Sequence, residues 1–477
     1  MLAERINSYY TKLMKLSSLG IRDMPRALPL RALLGPSFIL LGLGLGSGEL
    51  ILWPFMSSNY GMGIIWGAFL GITFQFFINM EIERYALVTG ESVFVGLARK
   101  LKIISPIWFI FSTLVPWMWP GIIASSATVF ASLLGLKYNP VFPIVLLVAI
   151  GLILTLGPVI YKTQEIFQRN LILVGVPFIF LMTLLMTKPE HWQDLAMGLV
   201  GKGENFWFLP AGISLATFLG AFAYAGAGGN LNLAQSFYIK EKGYGMGKFS
   251  GRITSVLTGK KEDITLEGKT FKTTSKNVDR FRKWWRTINI EHAVVFWATG
   301  AFTMLMLSLL AYATLFGRGI KTSDITFLLS QGDIIGARTL PLFGTIFLII
   351  AGLMLFSTQL SVMDATSRIM CENLVISSDR FKVSKIPFYY YAFLWLQIIA
   401  GIIIFAAGFT QPLALVITGA VLNAGAMFVY SGLILWLNMT NLEKVLRPGI
   451  VRVVAVGIAF LFYGGFSIFT IFEYLNR

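Results

Sequence analysis

Glu49 lies inside an apolar run that reaches from Leu33 to Phe55, directly after Gly42-Leu43-Gly44-Leu45-Gly46-Ser47-Gly48. A run of that length crosses a bilayer, so the carboxylate falls near mid-membrane, where an acid on a helix costs about 3 kcal/mol. Each glycine weakens the helix by roughly 1 kcal/mol relative to alanine. Irregular backbone at that depth is tolerated only against protein or a water-filled cavity. A loosened helix carrying an acid therefore predicts a site for a positively charged ligand, made of one carboxylate and backbone carbonyls, which are hard donors. The competing reading is a surface of small residues on which another helix packs, with Glu49 paired elsewhere.

A second stretch has the same character. Leu219-Gly220-Ala221-Phe222-Ala223-Tyr224-Ala225-Gly226-Ala227-Gly228-Gly229-Asn230 places three glycines within four residues and follows them with an amide. An unwound centre is expected there, with Gly226 and Asn230 beside it. Ser357, Thr358, Gln359 and Ser361 offer further hard oxygens, although hydroxyls more often bond their own helix backbone. Asp364 and Arg368, spaced i and i+4, predict an ion pair on one helix surface, with a place in an ion pathway as the alternative for Asp364. Glu81, Glu83 and Arg84 read as solvated or mutually paired at a membrane face. Trp117, Trp119 and Pro120 read as packing and kink residues.

The elements that must position these groups follow from composition. The chain is 56% hydrophobic and 13% charged, with a mean hydropathy of +0.73, the profile of an all-α polytopic membrane protein. Eleven apolar segments are legible: Leu33–Phe55, Ile64–Met80, Pro106–Leu134, Val141–Ile160, Leu171–Met186, about Leu209–Phe237, His292–Leu315, Leu340–Met363, Tyr389–Phe409, Pro412–Leu437 and Val451–Tyr474. The two breaks fall in the first and sixth. An offset of five reverses the orientation, which predicts an inverted five-plus-five repeat with its site at the midplane between two discontinuous helices. Residues 1–32 form an N-terminal arm, 33–186 the first repeat and 187–437 the second, which includes a basic loop at 239–289. Residues 438–477 add a loop and the last span.

Charge supports the arrangement. Of 39 Lys and Arg residues, 32 fall in segments on the N-terminal side of the membrane and seven (Lys137, Lys188, Lys202, Arg318, Lys321, Arg338 and Arg477) on the other. That asymmetry predicts a cytoplasmic N-terminus and an external C-terminus in the plasma (inner) membrane. The net charge of +16 then faces anionic lipid, and a nucleic-acid role is unnecessary. Lys276–Ile290 reads as an interfacial amphipathic helix, and Ile264–Phe271 as a small hairpin. One cysteine and two histidines exclude an internal disulfide and thiolate or His-rich metal clusters. No P-loop, HExxH or paired nucleophile and base occurs, so neither an enzyme nor a bound cofactor is expected.

With Gly35-Pro36 ahead of the first break and Arg84-Tyr85-Ala86-Leu87-Val88-Thr89-Gly90 after the second segment, the chain resembles the Nramp family of divalent-metal transporters. The match is to a divergent prokaryotic branch. The resemblance implies a LeuT-like fold of eleven helices and ion-coupled symport. It places the family's Asp-Pro-Gly-Asn on Gly46, Ser47, Gly48 and Glu49, and its Met-Pro-His-Asn on Ala227, Gly228, Gly229 and Asn230, with a ligand carbonyl at Tyr224. The metal-binding Asp, Met and His are absent, and Pro106–Leu134 contains no acid. Losing the thioether removes the preference for soft metals. The substrate site implied is Gly46, Ser47, Glu49, Tyr224, Gly226, Ala227 and Asn230, with Glu49 and Asn230 as ligands of Mg²⁺, Ca²⁺ or Mn²⁺. The small residues imply a roomier cavity, which also admits a small organic cationic solute. H⁺ on Glu49, or Na⁺ on first-span carbonyls with Ser357, Thr358, Ser361 or Asp364, would be the coupling ion. A non-transporting membrane sensor is the remaining alternative.

Overall fold

The computed structural model describes residues 16–29, 36–156, 160–250, 266–319 and 324–475. Gly35 and most of the N-terminal arm lie outside them. The first segment comprises α1 (Pro36–Gly44), an eight-residue π-helix (Leu45–Leu52) and α2 (Trp53–Tyr60). Then follow α3 (Trp66–Thr89), α4 (Val93–Leu101), α5 (Ile104–Trp117), α6 (Gly121–Leu133), α7 (Val141–Leu156), α8 (Ile160–Met186) and α9 (Pro189–Leu199). The second half holds α10 (Leu215–Ala223), α11 (Gln235–Lys242), α12 (Ser275–His292), α13 (Thr299–Leu315), α14 (Thr326–Arg338), α15 (Pro341–Ser377), α16 (Ile386–Ala406), α17 (Pro412–Asn441) and α18 (Ile450–Leu475).

Nine helical stretches among the described residues are long and apolar enough to cross a membrane. Of the other two segments expected from sequence, one is the shorter apolar helix α7 and the other is the split pair α10 and α11. The centre is formed by α15 from Ile350 onward and α3 from Ile78 onward, which are buried almost throughout and bury polar groups along with their apolar ones. Around them, α5, α8, α16 and α18 show large exposed apolar side chains, among them Phe111, Val174, Ile403 and Leu461, the belt that meets lipid.

Helix starts and stops follow local chemistry. Ser92 caps α4 by accepting from Val95 N–H at 3.3 Å, and Gly90 ends α3 in the left-handed region at φ 65°. Pro116 and Pro120 flank the break between α5 and α6, as expected for kink residues.

Three expectations are corrected. The first break is not an unwound gap but a π-helix, a widened turn that keeps the chain helical. The 264–271 hairpin does not form among the described residues. Instead β2 (Lys269–Thr270) pairs in parallel with β1 (Gly20–Ile21) of the N-terminal arm. The amphipathic α12 turns its aromatic face into the protein: Trp284 is buried, donates to the Pro25 carbonyl at 3.0 Å and lies against Tyr244. Its basic face, with Lys276, Arg282, Lys283 and Arg286, is exposed.

Candidate functional site

The glycines of the first segment are a close-packing seam. A Cβ on Gly48 would fall 1.6 Å from the Tyr224 carbonyl oxygen, and one on Gly44 2.6 Å from the Gly226 carbonyl. On Gly46 it would meet the Thr358 hydroxyl at 2.7 Å, and on Gly42 the Gln168 amide at 2.3 Å. Backbone therefore touches backbone where the two broken segments cross. The small residues admit the opposing chain and not, as expected from sequence, a wider cavity.

Glu49 leaves this seam on another side. It is fully buried, and among the described residues neither carboxylate oxygen has a hydrogen-bond partner. Its Oε1 lies 3.3 Å from where a Cβ on Gly300 would be, at a place that Ile72 and Leu41 also border. The hydroxyl of neighbouring Ser47 is likewise buried and unpartnered. A carboxylate so placed must be neutralised by a proton or a cation, since an isolated charge in dry surroundings is very costly.

The second break, 224–228, is unwound. Gly228 and Gly229 have φ of 74° and 52°, which glycine adopts without strain. Gln75 of α3 replaces the missing helical bonds: its Nε2 donates to the Ala223 carbonyl at 2.9 Å and its Oε1 accepts from Gly228 N–H at 3.2 Å. Asn232 joins Gln75 to Tyr430. Tyr224 stacks on Trp117, with centroids 5.3 Å apart and planes 13° apart, and its hydroxyl accepts from Asn423 Nδ2 at 2.9 Å. Asn230 donates to Ser112 and Thr113 at 2.8 and 2.9 Å. Its Oδ1, the Asn423 Oδ1 and the Trp117 Nε1 are buried without partners among the described residues.

The expected site residues thus fall into three places. Tyr224, Gly226, Ala227 and Asn230 border the unwound break, beside α5 and α17. Glu49 faces α13. Thr358, opposite Gly46, donates to the Gly42 carbonyl at 2.9 Å, and Ser361 accepts from Gln168 at 2.7 Å; the Ser357 hydroxyl is buried and has no partner among the described residues. Asp364 is held by Arg368 at 2.9 Å and by the Tyr390 hydroxyl at 2.7 Å, and Glu241 closes on the same guanidinium. Gln75, Trp117, Gln168 and Asn423 were missed as site residues. The signal available was their type: long amides and an indole within apolar spans must find polar partners. Among the described residues, no group of three or more His, Cys, Asp or Glu could hold a metal ion. A separate cavity of about 500 Å³, lined by Asn59, Asp194, Lys202, Glu204 and Tyr312, opens at the Tyr60 end of the first segment.

No protein-family model matches the chain, and no curated protein does. Solved structures do. An Eremococcus coleocola manganese transporter aligns over 95% of this chain and 91% of its own, with a TM-score of 0.70 and 13% identity in one mutant, and 0.68 and 14% in another. Mhp1, a nucleobase-cation-symport-1 family transporter in a closed conformation with bromovinylhydantoin bound, aligns over 95% of each chain at a TM-score of 0.56 and 12% identity. The shared property is the LeuT-type helical fold of a multi-pass membrane protein.

Proposed function

We propose that this chain is a secondary-active transporter that moves a cation by alternating access, with Glu49 as the acceptor of its charge. The observation that carries the reading is the Glu49 carboxylate: fully buried, with both oxygens unpartnered among the described residues, on the π-helical stretch of the first segment. The fold, shared with transporters of a metal and of an organic molecule, supports transport without choosing the substrate.

Charge balance narrows the class. One carboxylate in a dry setting is neutralised by one positive charge, so the charge of a proton, an alkali ion or a small organic ammonium matches that of Glu49. A divalent metal (Mg²⁺, Ca²⁺ or Mn²⁺) is the second reading. It is favoured by the unpartnered Asn230 Oδ1, a hard oxygen at the other break, but Asn230 and Glu49 would have to be brought together by rearrangement of the seam. Any cation other than a proton displaces a proton from Glu49 on arrival, because the charged carboxylate is then paired.

Uptake into proteoliposomes tests both. Na⁺, K⁺, methylammonium and choline serve as monovalent probes, and Mg²⁺, Ca²⁺ and Mn²⁺ as divalent ones. Uptake of one class by the native chain that disappears in Glu49→Gln supports the reading and chooses between its two forms. Undiminished uptake in Glu49→Gln, or none of either class by the native chain, overturns it.

A further inference from the structure

The cavity of about 500 Å³ at the Tyr60 end of the first segment is separate from Glu49, since Tyr60 stands about 15 Å further along the helix. Three elements enclose it: the turn after α2, the far end of α13, and α9 with the hairpin that follows it. In that hairpin Lys202 pairs with Trp207, and Gly203 N–H donates to the Phe206 carbonyl at 2.9 Å. Trp66 Nε1 donates to the Phe208 carbonyl at 2.8 Å, which fastens the hairpin to the start of α3. Glu204 and Phe206 are thereby held at the cavity wall.

The wall is aromatic and acidic. Tyr60, Phe206, Tyr312 and Phe316 line it. Tyr312 of α13 and Phe316 just past its end stack with centroids 4.9 Å apart. Phe206 lies over the hairpin backbone, where a Cβ on Gly203 would come within 2.4 Å of its ring, and a Cβ on Gly61 would meet the Phe316 ring at 3.2 Å. Asp194 of α9 accepts from the Tyr312 hydroxyl at 2.9 Å, which fixes one carboxylate beside the rings. Glu204 supplies a second carboxylate and Lys202 one ammonium group, so acids outnumber bases by one in the lining. Neither acid forms an ion pair among the described residues. Arg318, the next basic residue along the chain from Phe316, is turned onto the Ala313 carbonyl at 3.2 Å.

Size and wall chemistry select the ligand. The volume is that of a small-molecule site. A bare metal ion takes six or more oxygens at close range, which two carboxylates spread over such a space do not supply. An anion meets the acidic excess. An ammonium whose nitrogen carries carbon groups suits both parts of the wall, because its charge is met by carboxylates and its methyl groups by ring faces. We infer that this cavity binds a small organic ammonium methylated at nitrogen, with Asp194 and Glu204 meeting its charge and Tyr60, Phe206, Tyr312 and Phe316 its carbon groups. The inference rests on the cavity alone and stands whether or not Glu49 accepts a cation.

The test reads binding and requires no transport. It uses the full-length chain carrying Glu49→Gln, so that Glu49 contributes nothing and failure here is distinct from failure of the transport reading. Nanodiscs of phosphatidylglycerol avoid ammonium headgroups. Radiolabelled choline should bind saturably, unlabelled tetramethylammonium should displace it, and K⁺ at the same concentration should not. Glu204→Gln, at the exposed hairpin tip, and Phe316→Leu, which removes a ring but keeps apolar bulk, should each weaken choline binding several-fold. Native-like gel-filtration profiles show that the variants are folded. Absence of saturable choline binding, displacement by K⁺ as effective as by tetramethylammonium, or undiminished binding in Glu204→Gln or Phe316→Leu overturns the inference.

Discussion

At the scale of single residues, two buried charges of this chain contrast. Glu49 has no hydrogen-bond partner among the described residues, so Glu49→Gln removes an ionisable group without removing a bond there. The midpoint of thermal unfolding should stay level or rise while uptake disappears, and a melt of the purified variant checks it. Arg368 is the opposite case, gripped by Asp364 and Glu241, with Tyr390 on Asp364 behind it. Arg368→Ala strands two buried carboxylates and should destabilise by about 3–5 kcal/mol, as broken buried pairs do. Arg368→Ala combined with Asp364→Asn should recover part of that, readable as a melting-point gain over the single variant. Glu49 and the Asp364–Arg368 pair were both legible in the sequence, because acids in apolar runs are rare and i,i+4 spacing fixes who can meet whom. The surroundings of Glu49 were not, since Gly300 and Ile72 are apolar neighbours with nothing in their type to announce them.

At the scale of elements, the sequence showed where most helices are and that the first and sixth segments are interrupted, because glycine density and apolar length are local properties. The form of each interruption depends on the partner. The first stays wound as a π-helix whose Gly46 and Gly48 lie against Thr358 and the Tyr224 carbonyl. The second unwinds because Gln75 supplies the bonds its backbone gave up. The parallel pairing of Gly20–Ile21 with Lys269–Thr270 was misread as a hairpin for the same reason, since the partner strand is remote in sequence. The seam makes a graded prediction. Gly48→Ala forces a methyl to within 1.6 Å of a carbonyl oxygen, which only backbone movement can relieve, whereas Gly457→Ala meets nothing within 4 Å. Gly48→Ala should lower the yield of monodisperse protein and its melting temperature sharply, and Gly457→Ala should leave both at native values. Equal behaviour of the two in fluorescence-detected gel filtration would show that the seam is not tightly packed.

At the scale of the whole molecule, the lipid belt defines the membrane and the basic residues choose its sides. The exposed apolar faces of α5, α8, α16 and α18 set the bilayer zone, and Lys and Arg gather at one edge of it: the 16–29 arm, the end of α3 with α4, and α12. That arm is pinned to α12 by Arg280 on the Met24 carbonyl at 2.7 Å and by Trp284 on that of Pro25, so the two basic elements share a side without appeal to charge. Lys137 and Lys202, both exposed, belong to the opposite edge, with the cavity between Asn59 and Tyr312. The positive-inside rule predicts that α12 lies in the cytosol and Lys202 outside. Buried Cys371 leaves little background for a thiol probe. In intact cells, a membrane-impermeant maleimide should label Lys202→Cys and Lys137→Cys but not Lys276→Cys, and permeabilising the cells should expose Lys276→Cys. The reverse pattern would place the cavity on the cytosolic side and α1 on the external one.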